Sequence, residues 1–298
     1  MKRFVFLMIL YAFVQNSFSG AWVQKKNGYF FKLSGTYFFA ENEFNHEGEK
    51  LKILEERLVF DDVYFRDINF QMYMEYGLTD DFTLIGKLPF KSYTSKRTVS
   101  TVYQTSNELA TTSGFADLEI SGKYAIFRSP VVFAVESGVK IPLGYSETPD
   151  NDGPRLGTGA VDIDGHLWVG GSLHPIPIYL TGSIGYRHRT GKLNDEIILQ
   201  TEAGYTLGNF LIKSYFKYVK NTSTPPDIYG QPITTPLPGG GGVLPEIIVG
   251  DQDIATIIPS IIYTLNEQIA LQAEVSAVLA GKNTLSGTAF SIGLIYYR

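Results

Sequence analysis

A two-residue rhythm runs through this chain and leaves it few folds to adopt. From Tyr29 to Tyr297, segments of about ten residues alternate apolar and polar side chains, separated by short turns and longer polar connections. A β-strand points successive side chains to opposite faces, so sustained alternation means that the two faces meet different solvents. The apolar face is rich in aromatics: the 298 residues include 19 Tyr and 20 Phe. Lipid outside and water inside satisfies both faces. The pattern predicts an all-β fold, an antiparallel transmembrane β-barrel of about twelve strands. A soluble β-sandwich also alternates, but it buries its apolar faces and rarely places Tyr and Phe at both strand ends.

The first 19 residues read as a cleaved signal peptide. Lys2 and Arg3 are followed by an apolar run from Phe4 to Val14, too short to cross a bilayer. Ser17 and Ser19 supply small residues for cleavage after Ser19, with Ala21 as the fallback. The chain has no Cys, so no lipid anchor on Cys is expected and the fold must hold without disulfides. Residues 20–298 are expected to form one barrel domain. No later stretch reaches the roughly 18 apolar residues of a membrane helix. Mean hydropathy is near zero, as expected when only every second residue meets lipid. The net charge of −5 becomes −7 once Lys2 and Arg3 are removed, which argues against a nucleic-acid partner.

The strands can be read face by face. Ile68, Phe70, Met72, Met74 and Tyr76 oppose Asp67, Asn69, Gln71, Tyr73 and Glu75. Ala116, Leu118, Ile120, Gly122, Tyr124 and Ile126 oppose Asp117, Glu119, Ser121 and Lys123. Val161, Ile163, Leu167 and Val169 oppose Asp162, Asp164, His166 and Trp168. Pro259, inside the tenth strand, predicts a bulge or a shortened strand because it cannot donate to a ladder. Tight turns are expected after the second, fourth, sixth, eighth and tenth strands. Long polar loops are expected after the first, third, fifth and ninth, the longest from Asn221 to Asp251. Such asymmetry is the outer-membrane arrangement, with both termini periplasmic. The last strand carries Phe290, Ile292, Leu294 and Tyr296 in register, but Arg298 takes the final place, so recognition by the barrel-assembly machinery is expected to be atypical.

Three segments resemble a known family. Gly114-Phe115-Ala116-Asp117 through Lys123-Tyr124, Gly138-Val139-Lys140-Ile141-Pro142-Leu143-Gly144, and Leu156-Gly157-Thr158-Gly159-Ala160-Val161-Asp162 are similar to the outer-membrane family named for the meta-pathway of phenol degradation. Gly185-Tyr186-Arg187 fits its next hairpin, so the resemblance covers about Gly114 to Arg189. It implies a barrel that transports hydrophobic or aromatic compounds, and no catalytic residues.

The expected inward face carries both signs of charge. Asp117, Glu119, Glu136, Asp162, Asp164 and Glu202 stand with Lys123, Lys140, Arg187, Arg189, Lys213, Lys217 and His166 as candidates to line the lumen. One reading is a polar passage for solute. The other is a set of cross-strand ion pairs filling a narrow barrel, since an unpaired buried charge is costly. Near balance argues against strong ion selectivity. Asp162, Asp164 and His166 share one strand face and could converge on a metal, but Arg187 and Arg189 on the next strand make ion pairing the more economical account. His188, with Thr190 and Asn194 nearby, faces lipid where outer-membrane phospholipases carry His and Ser. Thr is a poor nucleophile there, and no Gly-x-Ser-x-Gly or phosphate loop occurs. The sequence therefore predicts a monomeric, non-enzymatic barrel without cofactor or metal, whose partners are outer-membrane lipid, small solutes and the assembly machinery. The alternative function is a filled barrel whose loops bind a partner.

Overall fold

A computed structural model of the chain describes residues 20–53, 60–100, 105–146, 153–191, 193–223 and 251–298. The predicted signal peptide, and most of the Pro- and Gly-rich connection from Asn221 to Asp251, lie outside the described residues.

The described chain is a closed antiparallel barrel. Its strands are β1 (Tyr29–Phe44), β2 (Lys50–Lys52), β3 (Phe60–Gly77), β4 (Phe82–Ser100), β5 (Thr105–Phe115), β6 (Asp117–Phe127), β7 (Val132–Pro142), β8 (Asp162–Ser172), β9 (Ile178–Arg189), β10 (Glu196–Leu207), β11 (Phe210–Asn221), β12 (Asp253–Thr264), β13 (Ile269–Lys282) and β14 (Thr284–Tyr297). Each wall strand pairs with its neighbour in order, and β14 returns to β1 in a ladder from Phe30↔Tyr297 to Phe44↔Thr284. Closure from β14 to β1 leaves no free sheet edge around the barrel itself; the β5 extension pairs with β4 alone. The short β2 is an appendage to β1, and β5 and β6 act as one bent strand against β4, so the wall has the expected twelve staves.

Alternation becomes inside and outside. Along β8, Ile163 and Leu167 are 54% and 62% exposed, while Asp162 and His166 are 0% and 8%. Leu33, Phe70, Phe133, Ile184, Leu199, Ile212 and Ile292 are also exposed on the outer face. An exposed apolar band of this extent requires lipid.

The five expected tight turns lie at one end, and at the other end β13 and β14 are joined through Asn283 alone. Gly208-Asn209 joins β10 to β11 in two residues, with Gly208 at φ +58, a left-handed backbone that Gly adopts without a Cβ penalty. The opposite end differs from expectation. The connections after the first and third strands are largely paired strand rather than loop. β4 continues past Phe90 and pairs with β5 from Phe90↔Phe115 to Ser100↔Thr105, so the wall is taller on that side.

Two register details correct the sequence reading. Ala116, expected on the lipid face, is 1% exposed. It is the extra residue between the ladders Phe90↔Phe115 and Lys87↔Glu119, and its N–H donates to the Pro89 carbonyl at 3.0 Å. A one-residue bulge of this kind flips the faces of everything beyond it. At Pro259 the strand is neither shortened nor shifted. The ladder to β13 skips from Ile257↔Ala277 to Ser260↔Glu274 in unchanged register, and the irregularity falls at Ala255/Thr256 instead. The missing Pro donor costs one rung, not a bulge.

Candidate functional site

The sheet register places opposite charges across from one another inside the barrel. Lys87 faces Glu119, Lys123 faces Glu136, Lys140 faces Asp162, and Arg187 lies between Asp164 and Glu196. Directly opposed residues on one sheet face are neighbours in space, so these pairs close: Lys87–Glu119 at 2.9 Å, Lys123–Glu136 at 3.2 Å, Lys140–Asp162 at 2.6 Å, Arg187–Glu196 at 3.1 Å and Arg187–Asp164 at 3.4 Å. Lys32–Glu274 at 3.0 Å and Lys213–Glu202 at 2.8 Å complete the ring.

A cavity of about 380 Å³ lies inside this ring. Of the residues predicted to line the lumen, Glu119, Lys123, Glu136, Asp164, His166, Arg187, Glu202, Lys213 and Lys217 border it. The other four, Asp117, Lys140, Asp162 and Arg189, form a separate cluster toward the long-loop end. There Lys140 bridges Asp162 and Asp117, the Tyr145 hydroxyl donates to Asp117 at 2.5 Å, and Arg189 donates to Glu196 at 2.9 Å. Asp162, Asp164 and His166 do not converge on one point: Asp162 is held by Lys140 and Arg189, and Asp164 by Arg187 with His166 at 3.9 Å. Among the described residues no group of three such side chains is arranged to hold a metal ion.

On the outer surface, His188 Nδ1 lies 3.1 Å from Asp195, whose carboxylate also accepts from the Tyr186 hydroxyl at 2.5 Å and from the Arg189 N–H at 2.9 Å. Asp195 sits in the connection between β9 and β10. Its carboxyl is pushed down to about 2, first by the Tyr186 hydroxyl and then by the Arg189 N–H and His188. Thr190 Oγ1 accepts from the Val161 N–H, 3.0 Å away. His188 and Thr190 therefore each hold a neighbouring connection in place.

Sequence reasoning missed what narrows the short-turn end of the lumen. Residues 20–26 do not trail away from β1 but cross inside the wall. The Lys26 N–H donates to Asp80 at 3.0 Å, the Gln24 N–H to Thr83 Oγ1 at 2.7 Å, and the Gln24 side chain to Glu75 at 2.7 Å. Trp22 meets the Tyr179 ring edge-on at 5.7 Å, and the Ala21 N–H donates to Thr181 Oγ1 at 3.1 Å. Lys123 Nζ then donates to the Gly20 carbonyl at 2.6 Å while lying 4.7 Å over the Trp168 ring. Gly20 has φ +86, and a Cβ there would come within 2.8 Å of Thr181, so only Gly fits. On the other side of the mouth, inward-facing Phe30, Ile262, Ala270, Ile295 and Tyr297 pack together. The sequence did carry a signal for this cluster. Alternation is lost at Ile261-Ile262-Tyr263 and at Leu294-Ile295-Tyr296-Tyr297, where both faces are apolar.

No protein-family model and no curated protein matches the chain. Solved structures do. The COG4313 outer membrane channel from Pseudomonas putida F1 superposes with a TM-score of 0.64 at 11% identity, covering 93% of this chain and 98% of that one. The transport unit of the autotransporter AIDA-I from Escherichia coli gives 0.53 at 10% identity, covering 98% and 97%. At such identities the likeness is one of fold, and the fold of this chain is that of the outer-membrane β-barrels.

Proposed function

We propose that the protein is a passive channel of the bacterial outer membrane for small solutes. One observation carries this reading: a polar, charge-lined chamber stands inside a wall whose outer face is apolar. Paired charges suit a passage because they present polar atoms without trapping a solute at one strong site. On this reading the short turns and both chain ends lie on the periplasmic side, and the chain works as a monomer because the ladder from β14 to β1 closes the barrel within one chain. The narrowed mouth limits passage to small molecules. We further infer from the Gly114–Arg189 motifs that the barrel belongs with the phenol meta-pathway family and that hydrophobic or aromatic solutes are among its cargo. The reading assigns no catalysis.

A second reading has support in the same mouth. The segment 20–26 and the apolar cluster around Phe30 fill much of the short-turn end, as in a barrel whose loops, not its lumen, carry the function. Uptake by liposomes decides between them. Proteoliposomes should admit some of a panel of aromatic, fatty and sugar solutes faster than protein-free liposomes do. Equal rates across the whole panel would favour the filled barrel.

A further inference from the structure

Lys217 is an exception in the chamber. Every other charged side chain lining it has an opposite charge within 4.0 Å. Among the described residues Lys217 makes no ion pair and no hydrogen bond. Arg187 and Lys87, of its own sign, border the same chamber. Of the six lining cations, Lys32, Lys87, Lys123, Arg187 and Lys213 each have a carboxylate within 4.0 Å, and Lys217 has none among the described residues. Lys217 is half-buried; a cation so placed without a counter-charge is incompletely solvated, and a visiting anion offsets that cost.

The surroundings indicate what kind of anion. Gln200 lies directly opposite Lys217 in the β10–β11 ladder and borders the same chamber. Its Oε1 accepts the Tyr215 hydroxyl at 2.7 Å, which leaves the amide NH₂ as a donor beside the ammonium. Two further donors on the chamber wall, Trp168 Nε1 and Arg187 Nε, have no acceptor. Tyr215 and Ile258, opposite each other across β11 and β12, border the chamber next to Lys217 and add an aromatic ring and an aliphatic side chain. A cation and an amide donor beside an apolar patch match a carboxylate on an apolar body.

We propose that Lys217 and Gln200 form a binding site for small organic carboxylates, of benzoate type, inside the lumen. The carboxylate pairs with Lys217 Nζ and accepts from Gln200 Nε2, and the apolar body lies against Tyr215 and Ile258. The proposal rests on the channel reading for its purpose but not for its test.

The test is titration calorimetry of sodium benzoate, benzyl alcohol and benzylammonium chloride against the detergent-solubilised full chain, with liposome uptake of benzoate run in parallel. Benzoate should bind at least tenfold more tightly than benzyl alcohol, and benzylammonium should not bind. Lys217→Met should weaken benzoate at least tenfold, and Lys217→Arg should retain most of the affinity. Gln200→Glu should also abolish binding, because it supplies the missing carboxylate while leaving Lys217 in place. Retention of a heat-modifiable gel band establishes that each variant is folded. Equal affinity for the three ligands, or benzoate binding unaffected by Lys217→Met and Gln200→Glu, overturns the site. Binding with no uptake of benzoate or of any solute in the aromatic, fatty and sugar panel upholds the site and removes the channel. Uptake of other solutes without Lys217-dependent binding removes the site and upholds the channel.

Discussion

Phe133 and Leu199 turn outward on β7 and β10, while Gln200, one residue on, turns inward. An Arg facing lipid near the bilayer midplane costs about 2–4 kcal/mol. Phe133→Arg and Leu199→Arg should therefore reduce the yield of heat-modifiable protein, and Gln200→Arg should be tolerated better. Equal yields for all three would contradict the register. Inside the barrel, Lys123 is held by Glu136, the Gly20 carbonyl and the Trp168 ring. Lys123→Met strands Glu136, and breaking a buried pair costs about 3–5 kcal/mol. The detergent-solubilised variant should unfold at lower denaturant concentration, and an unchanged midpoint would contradict the pairing. The facing of Glu136, Lys123, Asp164 and Arg187 was legible in the sequence because each lies in an unbroken alternating run. The burial of Ala116 was not, since a bulge is set by where two ladders meet and leaves the local apolar pattern intact.

At the scale of the element, turns were the most legible feature. Gly-Asn and Pro-containing pairs favour turn geometry, and three of the tight turns fall where those pairs stand, at Ser129-Pro130, His174-Pro175-Ile176-Pro177 and Gly208-Asn209. The tall β3–β4–β5 face was not legible. Its Ser, Thr and charged residues read as loop, yet in pairing they complete one another's backbone hydrogen bonds. The segment 20–26 was hidden for another reason: its partners, Thr83, Glu75, Tyr179 and Thr181, are distant in sequence. Deleting residues 20–26 should enlarge single-channel conductance, because the segment crosses the narrow mouth. An unchanged conductance would mean that it does not limit flow. In the β9–β10 connection, the folded Asp195 value of about 2 lies below the usual carboxylate value near 3.8. Its hold on the connection is thus present above the unfolded value and is lost as pH falls through about 2. Hydrogen exchange at the Arg189 amide should be slow at neutral pH, faster in Asp195→Asn, and similar in the two near pH 2. Equal protection in both proteins at neutral pH would contradict this.

For the whole molecule, alternation, aromatic content and near-zero mean hydropathy point to one architecture because each follows from a wall with lipid on one side and water on the other. What the sequence left open was the state of the lumen, which depends on side chains from all around the wall meeting across it. The closed ladder and the chamber show a wall that is apolar outside and polar inside, and this supports the proposed channel. Planar-bilayer recording of heat-modifiable protein tests this most directly. Discrete conductance steps are expected in potassium chloride, larger after removal of residues 20–26. Protein that inserts in its heat-modifiable form yet gives no steps, with or without that segment, would contradict it.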